Sequence, residues 1–104
     1  MLFELGIIPL RCDKHMSVEL SEIMKIIDAS GLPYQLTPSS TCIEGDWDEV
    51  MALIKTCHNS MREQSSRVIT TIKIDDEEEG RNKLITSVQS VEERLGKKLS
   101  RLAP

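Results

Sequence analysis

Aromatic side chains are almost missing: Phe3, Tyr34 and Trp47 are the three in 104 residues. Surfaces that hold nucleic acid by stacking need several aromatic faces along the bound strand, which argues against that class. Basic blocks are missing as well. No run of cations exceeds Lys97 and Lys98 in tandem, and the formal net charge is -4, so the phosphate term that dominates nucleic-acid affinity is weak. No stretch approaches the roughly 18 apolar residues of a membrane span. The apolar segment from Met1 to Leu10 is broken by Glu4 and stopped by Pro9, without the positive region or small-residue cleavage site of a signal peptide. Cysteine is scarce: Cys12, Cys42 and Cys57 are odd in number and form no CxxC pair. A disulfide framework is therefore not expected, and a reducing cytoplasm is the expected location.

Patterns that would support catalysis or metal binding are also lacking. Cys12 and His15, with Cys57 and His58, offer four donor atoms, but neighbours on a helix point about 100 degrees apart and do not share a tetrahedral ion readily. Neither histidine is tied by spacing to a cysteine and an orienting carboxylate, so a cysteine nucleophile is not indicated. The acidic run Asp75, Asp76, Glu77, Glu78, Glu79 lacks the D-x-D-x-D-G alternation of a calcium loop. It reads as a solvated charge run. No cofactor, no metal and no enzymatic activity are expected.

What is present suits one domain, spanning 1–104, with a core in 1–76 and a C-terminal helix over about 80–102. Hydrophobic residues make up 39% and charged residues 29%, enough for one core in a chain too small to cover all its apolar surface. Residues 2–8 alternate, with Phe3, Leu5 and Ile7 on one side, which predicts a strand closed by Pro9. Ser17 is the expected N-cap of a helix carrying Leu20, Ile23, Met24 and Ile27, ended by Gly31. Segments 33–38 and 41–44 read as two short strands about a turn at Ser39 and Ser40. Asp46 then caps a helix with Glu49 at its third position, followed by Val50, Met51, Ile54, His58 and Met61 at helical spacing. Residues 67–75 alternate again, setting Val68, Thr70, Ile72 and Ile74 against Ile69, Thr71, Lys73 and Asp75. Leu84, Val88, Val91 and Leu95 then form a narrow heptad-like stripe, with Leu99 and Leu102 in continuation.

The order strand, helix, strand, strand, helix, strand, helix is the split-βαβ pattern of an α+β, ferredoxin-like fold with an additional C-terminal helix. Right-handed crossovers put strands one and three at the centre of an antiparallel sheet, with the two main helices on one face. The other face is then open, although strand one is apolar on that side too, through Leu2 and Ile8. Such a face is expected to meet a ligand or another subunit. Lys73, Thr71 and Ile69 project from it. Glu44 ends a strand beside the acidic helix cap, and Trp47 is large for a first helical position; together they favour a cationic aromatic ligand over an anionic one.

Four ordered stretches carry a resemblance. They are Ile7-Ile8-Pro9-Leu10; Ser30-Gly31-Leu32-Pro33-Tyr34-Gln35-Leu36-Thr37-Pro38; Thr41-Cys42-Ile43-Glu44-Gly45-Asp46-Trp47-Asp48-Glu49-Val50-Met51; and Arg67-Val68-Ile69-Thr70-Thr71-Ile72-Lys73-Ile74-Asp75. In them the chain resembles the small thiamine-binding protein family, departing from its pattern at Ser40 and at Gly6. The resemblance implies a ferredoxin-like protomer in a homo-oligomer, a dimer of dimers, that binds thiamine or a hydroxymethylpyrimidine-type precursor without catalysis. Carried over, it offers Thr37, Ser39 and Thr41 as hydroxyl partners for an aminopyrimidine. Glu44 would accept from the amino group or offset thiazolium charge, Trp47 would wall the site, and Thr71 and Lys73 would complete it. The competing expectation is a structural or regulatory homo-oligomer with no physiological small ligand. Neither reading involves nucleic acid or membrane.

Overall fold

The computed structural model describes residues 1–10, 16–78 and 83–97. Its elements are β1 (Leu2–Pro9), α1 (Met16–Ala29), β2 (Tyr34–Leu36), β3 (Thr41–Glu44), α2 (Trp47–Gln64), β4 (Val68–Asp75) and α3 (Lys83–Leu95). The strands form one sheet in the order β2-β3-β1-β4, and every neighbouring pair is antiparallel. This is the expected α+β arrangement, with strands one and three at the centre.

Alternation decides which face of the sheet is buried. Phe3, Leu5 and Ile7 of β1 and Ile43 of β3 point into the core. They meet Ile23 and Ile27 of α1 and Val50, Leu53, Ile54, Cys57 and Met61 of α2 in a single cluster. β1 and β4 pair along their full length, from Leu2 opposite Asp75 to Pro9 opposite Val68. The backbone N–H of Leu10 donates to Arg67 O at 2.8 Å and carries that ladder one step further.

The helix ends follow local chemistry. Asp46 is the N-cap of α2, its Oδ1 accepting from the Glu49 N–H at 3.0 Å. That satisfies one of the donors left over at any helix start. The Asp46 and Glu49 carboxyls lie close enough that Asp46 pushes the Glu49 pKa upward, by hydrogen bonding and then by charge. Gly31, at φ 77°, follows α1 and takes the left-handed conformation that only glycine adopts freely.

Two boundaries and one buried row differ from expectation. α1 starts at Met16, so Ser17 lies inside the helix rather than capping it. Its buried row is Glu19, Ile23 and Ile27, while Leu20 is exposed at the flank; burial follows the i, i+4 row centred on Ile23, not the apolar count. Glu19 is only 2% exposed, and its Oε1 has no hydrogen-bond partner among the described residues. The strand expected over 33–38 is shorter, Tyr34–Leu36, because Thr37 breaks into the turn and Pro33 and Pro38 offer no N–H to a ladder. Cys12 and His15 lie outside the described residues, as do Leu99 and Leu102.

Candidate functional site

The face of the sheet turned away from α1 and α2 carries a band of polar side chains one residue deep. Glu4 on β1 stands opposite Cys42 on β3 and opposite Lys73 on β4. Cys42 in turn stands opposite Gln35 on β2. Gln35, Cys42, Glu4 and Lys73 thus cross all four strands in one row. Directly opposed residues in such a ladder have Cβ atoms about 4.5–5.5 Å apart, so a ligand lying across the strands would meet all four.

On one side of the band is Leu2, between Glu44 and Asp75. On the other is Gly6 opposite Thr71, and beyond it Ile8 opposite Ile69, both exposed. A Cβ added at Gly6 would stand 2.8 Å from Thr71 Oγ1. The missing side chain lets the Thr71 hydroxyl lean over β1 toward the middle of the face.

Glu4 and Lys73 are both exposed. Lys25 pairs with Glu22 on the outside of α1, away from this face. The carboxylate of Glu4 is felt next door: the Cys42 thiol is pushed upward in pKa, first by burial and then by the Glu4 charge. The band, with the Thr71 hydroxyl beside it, can thus offer an acceptor carboxylate, a donor ammonium, an amide, a thiol and a hydroxyl to one flat ligand.

The residues expected to form a site from sequence do not all share this face. Glu44, Thr71 and Lys73 do. Thr41 does not: it is buried, and its hydroxyl points at the Met24 sulfur of α1 at 3.7 Å. Thr37 organises the β2–β3 turn, its Oγ1 donating to Ser40 O at 2.9 Å and accepting from the Ser40 N–H at 3.1 Å. Ser39 is exposed at the tip of that turn. Trp47 is 49% exposed and leans on Phe3, with ring centroids 6.3 Å apart and planes inclined at 59°. It therefore belongs to the core side of the sheet.

Sequence reasoning did not bring Glu4, Cys42 and Gln35 together on this face. Glu4 had been visible as the residue that interrupts an apolar strand, which is the signal of a side chain the open face needs. Cys57 and His58 diverge as the helix geometry requires. Cys57 is in the core, and His58 Nδ1 is hydrogen-bonded to Thr70 Oγ1 at 2.6 Å on the covered side of β4. Among the described residues no group of three His, Cys, Asp or Glu side chains could hold a metal ion, and no helix is long and apolar enough to cross a membrane.

Fold and face together define an α+β, ferredoxin-like protein with a sheet surface that α1 and α2 leave open, banded by mixed charge. The comparison with known families then narrows the class. The model of the thiamine-binding protein family matches residues 3–92, and the chain belongs to that family.

Among curated relatives, the UPF0045 protein YqgV of Bacillus subtilis is 33% identical over 85 residues, 77% of this chain and 82% of its own. A UPF0045 protein of Methanothermobacter thermautotrophicus is 32% identical over 95 residues, 88% of this chain and 96% of its own. Among solved structures, the hypothetical protein MJ1052 of Methanocaldococcus jannaschii superposes with a TM-score of 0.80 at 24% identity, covering 88% of this chain and 95% of that one. A Thermotoga maritima protein for which a role in thiamine biosynthesis or salvage has been proposed superposes with a TM-score of 0.70 at 20% identity, covering 91% and 94%. At these identities the two structures bear on the fold alone.

Proposed function

We infer that the protein is a cytoplasmic, non-enzymatic binder of thiamine or of a hydroxymethylpyrimidine-type precursor, working as a homo-oligomer built as a dimer of dimers. The observation that carries this reading is a carboxylate at the centre of the open sheet face, in a chain of the thiamine-binding family. Thiamine pairs a cationic thiazolium with an aminopyrimidine. Glu4 would take the cation or the amino group, with Glu44 as the second acceptor on the same face. Thr71 and Lys73 would supply donors to the ring nitrogens. Ser39 and Trp47 would act from the margins, and Thr37 and Thr41 through the turn and strand they hold in place. The two flanks of the band, Leu2 on one side and Ile8 with Ile69 on the other, supply apolar contact for ring faces.

Titration calorimetry of the purified protein with thiamine and with hydroxymethylpyrimidine tests it. Heat of binding is expected with at least one of them. Glu4→Gln should weaken that binding about 10- to 100-fold, the worth of a hydrogen bond to a charged group, with the circular dichroism spectrum unchanged because Glu4 is exposed. No heat and no thermal shift at millimolar ligand would overturn the binding function. Full affinity in both Glu4→Gln and Glu44→Gln would move the site off this face. Turnover of either compound by the pure protein would make it an enzyme.

A further inference from the structure

In the row Gln35, Cys42, Glu4 and Lys73 the four side chains differ in what they can exchange with a ligand. The Gln35 amide turns over to present either its N–H or its carbonyl. The Cys42 thiol, held neutral by burial and by the Glu4 charge, both donates and accepts. Glu4 and Lys73 have no such freedom. A carboxylate only accepts and an ammonium only donates, and the register sets the two directly opposite each other on β1 and β4. Both are exposed. An ion pair between exposed groups is worth little, so a ligand edge that offers each of them a partner displaces it at small cost.

We propose that Glu4 and Lys73 together read the edge of a 4-aminopyrimidine with fixed polarity, Glu4 accepting from the 4-amino group and Lys73 donating to the neighbouring ring nitrogen N3. The assignment rests on the ligand reading above and sharpens it. Of the two roles open to Glu4 it selects the amino group, and it fixes which way the ligand lies. Lys73 is on β4, at the edge of the sheet; Glu4 is one strand inward, then Cys42, then Gln35. In thiamine the order N3, C4 amino group, C5 runs in the same direction. The arm on C5 therefore carries the thiazolium inward over β3. There Glu44, two residues on from Cys42 and on the same face, stands beside its path.

A 4-oxo pyrimidine inverts the edge. Its N3 carries a hydrogen and its C4 oxygen only accepts, so in the same pose two acceptors meet at Glu4 and two donors at Lys73. Turning the ring over restores both bonds but points the C5 arm outward, past β4 and away from Glu44. Either way the analogue gives up contacts that thiamine keeps. A site built on hydrogen bonds rejects such an isostere more strongly than one built on shape alone.

Titration calorimetry of the full chain with thiamine and with its 4-oxo analogue provides the test, since the two carry the same thiazolium and differ at this edge. Wild type should hold the analogue about 100-fold more weakly, as expected for the loss of one or two hydrogen bonds to charged groups. Lys73→Met should weaken thiamine about tenfold and bring the two compounds within about threefold of each other. Exchanging the charges, Glu4→Lys together with Lys73→Glu, should reverse the preference. Both positions are exposed, so the circular dichroism spectra should not change. Equal affinity of wild type for the two compounds, or a Lys73→Met chain that keeps the full preference, would overturn the assignment while leaving thiamine binding in place. An exchanged variant that fails to prefer the analogue would do the same. Wild type that binds neither compound would overturn the ligand reading itself, and the assignment with it.

Discussion

Replacing Gly6 with alanine separates the open face from the fold that carries it. Gly6 sits mid-strand in β1 opposite Thr71, and the added methyl would come within 2.8 Å of the Thr71 hydroxyl oxygen. That is too close for two unbonded atoms, so one must move. The strand backbone is held at Gly6 by the β4 ladder and, one residue earlier at Leu5, by β3 as well, whereas Thr71 is exposed and can turn about χ1. Leaving its preferred rotamer costs about 0.5–1.5 kcal/mol. Against that, glycine inside a strand is disfavoured relative to alanine by roughly 0.5–1 kcal/mol. The two nearly cancel, so urea unfolding of Gly6→Ala should lie within about 1 kcal/mol of wild type. Ligand affinity should nevertheless fall about three- to tenfold, the worth of one neutral hydrogen bond, because the hydroxyl has swung off the face. Thr71→Ala removes the obstacle. In that background Gly6→Ala should stabilise by about 0.5–1 kcal/mol, and the double-mutant cycle isolates the clash. Destabilisation above about 2 kcal/mol in both backgrounds would refute this reasoning, since it would mean that the backbone itself requires glycine.

Two further outcomes test the core and a helix end. Burial raises the Cys57 thiol from its ordinary 9.0 to about 11, so the folded state holds it neutral while the unfolded chain ionises first. Stability from this group is complete below pH 9 and is lost as pH rises toward 11. The two-unit shift is worth about 2 to 3 kcal/mol, which solvent screening in so thin a fold reduces to about 1 to 2 kcal/mol. Urea unfolding between pH 7 and pH 10.5 should show that loss in wild type and not in Cys57→Ala; equal slopes would refute it. At the start of α2, Asp46→Ala should cost about 1 kcal/mol. Asp46→Asn should cost nothing measurable, since it keeps the cap while relieving Glu49, whose pKa should drop back toward the ordinary range in an NMR titration.

The fold was legible because its two periods are clean. Phe3, Leu5 and Ile7 alternate without error, Val68 to Asp75 alternate apart from exposed Ile72, and α2 combines a strong cap with an unbroken buried row. Where the pattern was ambiguous, tertiary packing decided. Leu20 and Glu19 are neighbours on α1, and hydrophobicity favours the leucine for the interior; the packed row takes the glutamate instead. The site was less legible for a related reason. Residues adjacent in sequence around the β2–β3 turn looked like one cluster, but a strand sends successive side chains to opposite faces. Thr41 therefore goes to α1, and Cys42 to the open side. The band itself joins Glu4, Gln35, Cys42 and Lys73 across four strands, and only the pairing register brings such distant positions together.

The polar band decides what the open sheet face can hold. A second copy laid over the polar band would have to satisfy a carboxylate, an ammonium, an amide and a thiol at once, since leaving one of them buried without a partner costs about 1–3 kcal/mol and more for a charge. A small ligand carrying its own donors, acceptors and positive charge meets that demand group by group. It follows that Glu4→Gln should weaken ligand binding with the light-scattering mass unchanged; a mass that fell together with the affinity would place a second copy on this face.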